Sequence, residues 1–172
     1  MPVGFKNGTD GDVQVAVDAC RAAATGHTFF GVTPVGAAAV VHTAGNPDTH
    51  VILRGGRAGP NYAAADVRAA LDRIEAAGLP RRVMVDCSHG NSSKDYRRQP
   101  IVAASLAEQL AAGERGLTGV MLESFLREGR QEPGHPATLL YGQSVTDACM
   151  NIDTTADVFR DLAAAIRTRR SG

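Results

Sequence analysis

At 172 residues and 18.0 kDa, the chain amounts to one domain and is long enough to bury a core. Its 18 Lys+Arg balance 18 Asp+Glu, so no global charge draws it to nucleic acid or a membrane surface, and no run approaches the ~18 apolar residues of a membrane span. The cysteines, Cys20, Cys87 and Cys149, are far apart with no CxxC spacing, which points to reduced thiols rather than a disulfide framework or zinc site, and to a soluble cytoplasmic protein.

The first residues, Met1 to Lys6, are strand-like with no charged segment and apolar run ahead of them, as expected if Met1 is an internal methionine of a longer chain. Pro2 to Phe5 reads as a buried strand. The turn Lys6 to Gly11 follows, with Thr9, Asp10 or Asp12 as caps for a helix over about 12–24, where Val13, Val17 and Cys20 recur at helical spacing.

Two apolar segments, Thr28 to Thr33 and Ala37 to Thr43, flank Pro34-Val35-Gly36 and predict a small hairpin. His50-Val51-Ile52-Leu53 is the next strand, ending at Arg54-Gly55-Gly56. A helix from Ala64 to Ala77 is closed by Gly78 with Pro80 beyond. Val83 to Cys87 is an apolar strand that gives way to Ser88-His89-Gly90-Asn91-Ser92-Ser93-Lys94, and a helix from Ile101 to Ala112 stops at Gly113. A strand Gly119 to Leu122 ends in Glu123-Ser124. After a polar loop and the stretch Tyr141 to Cys149, the last helix runs over about 155–169, with arginines at the end where the helix dipole favours cations.

The unit that repeats is strand, polar residue at its carboxyl end, loop, helix. Lys6, Arg54, His89 and Glu123 hold equivalent places in it. In parallel α/β folds the loops at that end vary without disturbing the core, so active sites gather there. Four such units make half of an eight-stranded barrel, a fold of about 250 residues when whole. The cations Lys6 and Arg54 suit phosphate and carboxylate. His89, Glu123 and Asp147 offer one imidazole and two carboxylates, a donor set for Mn²⁺, Fe²⁺, Co²⁺ or Zn²⁺. A purely structural reading of the same residues pairs Lys6 with Glu123 inside the fold and makes Asp147 a helix cap.

Five stretches, Gly4 to Gly11, Ile52 to Gly56, Asp86 to Ser92, Gly119 to Ser124 and Tyr141 to Cys149, resemble in order the C-terminal half of class I 3-deoxy-D-arabino-heptulosonate 7-phosphate (DAHP) synthase. The resemblance covers essentially the whole chain. It implies an α/β fold comprising strands 5–8 of a TIM (β/α)8 barrel, a single partial-barrel domain over 1–172 with an extra β-hairpin at about 28–43. The implied reaction condenses phosphoenolpyruvate with erythrose 4-phosphate, the first step of the shikimate route to aromatic amino acids. It further implies a divalent metal held at His89, Glu123 and Asp147 together with a cysteine, phosphoenolpyruvate held by Lys6 and Arg54, and Lys6 and His89 in catalysis. The hairpin resembles an element that helps bind an inhibitory aromatic amino acid, which marks Phe29, Gly31 and Val41; Gly31 stands where tyrosine-sensitive relatives tend to have Gly and phenylalanine-sensitive ones Ser.

The sequence also departs from the family pattern. The metal-ligating cysteine, a Lys-Pro-Arg-Thr motif for the aldose phosphate and a further phosphoenolpyruvate-binding arginine have no counterpart, because the first four strands are not represented. Cys87 lies two residues before His89, about 6 to 7 Å deeper along the strand, and reads as a core thiol rather than a replacement ligand. Open sheet edges and a half-filled interior expose apolar surface, so a homo-oligomer or an N-terminal half as partner is expected. An inactive scaffold or phosphate-binding module is the alternative of another class. The octulosonate 8-phosphate enzymes share the chemistry, but Asn7 to Gly11 and Leu53 to Gly56 speak against them.

Overall fold

A computed structural model describes residues 1–171. The order is β1 (Val3–Lys6), α1 (Gln14–Ala24), β2 (Thr28–Val32), β3 (Ala38–His42), β4 (Thr49–Leu53), α2 (Ala64–Ala76), β5 (Val83–Asp86), α3 (Gln99–Ala111), β6 (Leu117–Met121) and α4 (Ile152–Ser171). Strands β1, β4, β5 and β6 form one sheet in that order, every neighbouring pair parallel. Each is followed by a helix before the sheet resumes, as parallel pairing requires. The predicted hairpin is present as its own antiparallel pair, β2 with β3.

Alternation along the strands sorts the side chains. Val51 and Leu53 of β4 and Val83 and Val85 of β5 enter the core with Val17 and Cys20 of α1, Leu71 and Ile74 of α2, Leu106 of α3 and Leu162 of α4. The opposite face carries Gly4, His50, Ile52, Met84 and Gly119: a Cβ on Gly4 would strike His50 and Ile52, and one on Gly119 would strike Met84.

The boundaries have local causes. Gly78 and Gly113 take left-handed backbone (φ 73° and 103°). Leu79 and Glu114 then donate back to the carbonyls of Ile74 and Gln109, which closes α2 and α3 as those glycines predict. Strand β6 begins two residues earlier than expected, and the register slips between Val83 and Met84. α4 also begins earlier, because the Asn151 side chain accepts from the Thr154 amide and caps it. Cys87 lies just past β5 rather than within it. No helix among the described residues is long and apolar enough to cross a membrane.

Candidate active site and metal centre

Each strand delivers its polar residue to the same end of the sheet. Lys6 is the last residue of β1 and Arg54 follows β4. His89 comes three residues after β5 and Glu123 two after β6. Asp147 arrives on the long loop before α4, which is pinned to the β6 end by bonds from the Met150 amide to the Glu123 carbonyl and from the Phe125 amide to the Met150 carbonyl, both 2.9 Å.

The ligand atoms of His89, Glu123 and Asp147 lie within 4.8 Å of one another, and all three residues line one cleft together with Ser88, Lys94 and Tyr96. One imidazole nitrogen and two carboxylate oxygens this close match the preferences of a borderline divalent ion, so the residues fit a metal. Asp147 caps no helix; Asn151 does. Glu123 is held from behind by the fully buried Gln99, whose side chain accepts from the Glu123 amide (2.8 Å) and donates to its carbonyl (3.1 Å).

Lys6 does not pair with Glu123. Its Nζ donates to Asp86 at 2.7 Å, and the same carboxylate bonds His89 Nδ1 at 2.8 Å. Asp86 is fully buried. Burial alone would raise its pKa, but the Lys6 ammonium, the two Ser88 donors and His89 outweigh it and hold the carboxyl below the usual range. By sequence Asp86 is only the penultimate residue of the strand Val83 to Cys87; its one signal is a carboxylate within an apolar run, three residues before a histidine. Arg54 does not line the cleft. Among the described residues no carboxylate pairs with its guanidinium, which leaves it available to an anion.

Behind these groups the strand ends are laced together by asparagines the sequence reading did not single out. Asn7 accepts from the Arg54 amide (2.8 Å) and donates to the Gly55 carbonyl (3.1 Å). Asn61 accepts from the Gly55 amide (2.7 Å), and Asn91 accepts from the Asn61 amide (2.8 Å) while donating to the Leu53 and Asp86 carbonyls. Main chains touch here: a Cβ on Gly55, whose φ is 69°, would lie 2.5 Å from the carbonyl carbon of Gly90. His89 itself has left-handed backbone, φ 53°, a strained conformation for a residue with a side chain.

Cys87 is fully buried in the core. Burial, helped by the Asp86 charge, pushes its thiol up to about 12, and it packs in the hydrophobic core outside the His89, Glu123 and Asp147 cluster. Phe29, Gly31 and Val41 share one face of the hairpin: Phe29 pairs with Val41, and a Cβ on Gly31 would meet both side chains.

The model of the DAHP synthetase I family matches residues 1–160. The chain belongs to that family. A tyrosine-inhibited phospho-2-dehydro-3-deoxyheptonate aldolase of Schizosaccharomyces pombe is 54% identical over 99% of the chain and 47% of its own length. A Tyr-sensitive enzyme of that name from Escherichia coli is 52% identical over 94% of the chain and 46% of its own. A solved phospho-2-dehydro-3-deoxyheptonate aldolase from Francisella tularensis superposes with a TM-score of 0.90 at 44% identity, over 96% of the chain and 48% of that structure. This DAHP synthetase I chain thus spans about half the length of the relatives it matches.

Proposed function

We propose that the chain is the C-terminal half of a DAHP synthase, condensing phosphoenolpyruvate with erythrose 4-phosphate at the start of the shikimate route to aromatic amino acids. The observation that carries this reading is the meeting of His89, Glu123 and Asp147 within 4.8 Å at the strand ends, in a chain matched by the family over residues 1–160. In this reading the four β/α units are strands 5–8 of a (β/α)8 barrel, one partial domain over 1–172. It works beside the other half or as a homo-oligomer, in the cytoplasm, in keeping with three free, buried thiols.

His89, Glu123 and Asp147 hold the divalent ion, Mn²⁺, Fe²⁺, Co²⁺ or Zn²⁺, which when bound supplies Lewis acidity toward a carbonyl oxygen or water. Arg54 binds the phosphate or carboxylate of phosphoenolpyruvate through its planar fork, with Gly55 and Gly56 letting the main chain approach. Lys6, anchored by Asp86 at 2.7 Å, places its ammonium where negative charge develops on the same reactant. The asparagine network sets these groups before substrate arrives, so little ordering remains on binding. Phe29, Gly31 and Val41 form part of an aromatic effector site on the hairpin.

The test is product formation from the two substrates with added Mn²⁺, using the purified chain alone and mixed with a separately produced N-terminal half, with His89→Ala as control. Turnover in either preparation that vanishes in the control supports the proposal. A folded mixture without turnover overturns it in favour of an inactive phosphate-binding scaffold.

A further inference from the structure

We propose that Asp86 is a positioning residue that couples the cation site to the anion site: its single carboxylate locks His89 in the Nδ1–H tautomer, leaving Nε2 bare toward Glu123, and anchors Lys6 on the same oxygen. The inference rests on the metal-site reading above and adds to it a group outside the ligand set.

The proton inventory carries the argument. Oδ2 of Asp86 lies 2.7 Å from Lys6 Nζ and 2.8 Å from His89 Nδ1. Oδ1 accepts from the Ser88 amide (2.9 Å) and from Ser88 Oγ (2.5 Å). Two oxygens with about four lone-pair sites are thereby filled by donors, an arrangement open only to an ionised carboxylate. Ser88 Oγ is also 2.7 Å from His89 Nδ1, and the hydroxyl has one hydrogen. Given to Nδ1, it would leave a bare ring nitrogen facing Oδ2 at 2.8 Å, two acceptors in contact. Given to Oδ1, it leaves a lone pair for Nδ1–H, and every contact pairs a donor with an acceptor. The second arrangement is the consistent one.

In the neutral ring Nε2 is then the only free lone pair, and it lies 4.0 Å from Glu123 Oε1. A carboxylate behind a metal-binding histidine fixes ring orientation and raises its basicity. Here that carboxylate also holds a cation assigned to the anionic reactant. Burial supports the role: Asp86 is 0% exposed while the His89 side chain keeps 22%, so the bond is shielded where it is made and the free nitrogen faces the cleft.

The experiment reads the tautomer directly. In ¹⁵N long-range correlation spectra of the full chain at about pH 8.5, where histidine rings are ordinarily neutral, His89 is assigned by its loss in His89→Gln. The expected wild-type pattern is a protonated Nδ1 and bare Nε2. Asp86→Asn is expected to abolish that pattern and to weaken Mn²⁺ binding, measured by titration, about 10–100-fold; Lys6→Met is expected to keep the tautomer. A bare Nδ1 in the wild type overturns the proposal whether or not any variant folds, as does an Asp86→Asn protein that keeps both tautomer and affinity. Equal Mn²⁺ binding by wild type and His89→Gln would instead sink the metal-site reading, with the tautomer result standing apart from it.

Discussion

Asn91 and Phe30 stand for two ways of building an excursion from the same scaffold. Asn91 is 0% exposed and spends its amide on three backbone partners from different segments. Phe30 is 90% exposed, and Val35 at the hairpin turn is 89% exposed. The strand-end loops are ordered by polar groups satisfied within the chain. The hairpin is ordered by its own ladder and leaves an apolar surface bare, the kind of patch that marks contact with another molecule. The strand ends are thus held by bonds within the chain, while the hairpin turns apolar side chains outward.

The sharpest way to break the contrast is Asn91→Ala. It strands the Asn61 amide and two buried carbonyls, and about 2–4 kcal/mol of stability is expected to be lost in denaturant unfolding. A smaller effect should follow pH. Burial raises the Cys20 thiol despite the lowering pull of Thr49 and Arg82. A thiol whose pKa is higher in the fold stabilises it below the unfolded value and withdraws that stability as pH rises through the ordinary range near 9. The melting temperature is therefore expected to fall above about pH 8.5, less steeply in Cys20→Ala. At the small end, Phe30→Ser is expected to change unfolding free energy by no more than about 0.5 kcal/mol, while reducing dye binding or self-association in light scattering. A large stability loss there would show that the hairpin is part of the packed body.

Much of this was legible because the signals are local. Gly78 and Gly113 announce helix ends through their backbone freedom, and Lys6, Arg54, His89 and Glu123 declare themselves by following apolar runs. What escaped is non-local. Asp86 reads as one more strand residue until His89 folds back onto it, and Gln99 stands by sequence just ahead of a helix yet clamps Glu123, 24 positions away. The early start of β6 depends on a register slip between strands, which no single strand's pattern contains.

The contact between Gly55 and Gly90 sets a tolerance for the whole site. Where two loops meet main chain against main chain, no rotamer lies between them to absorb an error, so the Arg54 and His89 loops behave as one rigid casting. Adding or deleting a residue in either would be felt in the other, and the lengths of these two loops can drift only together.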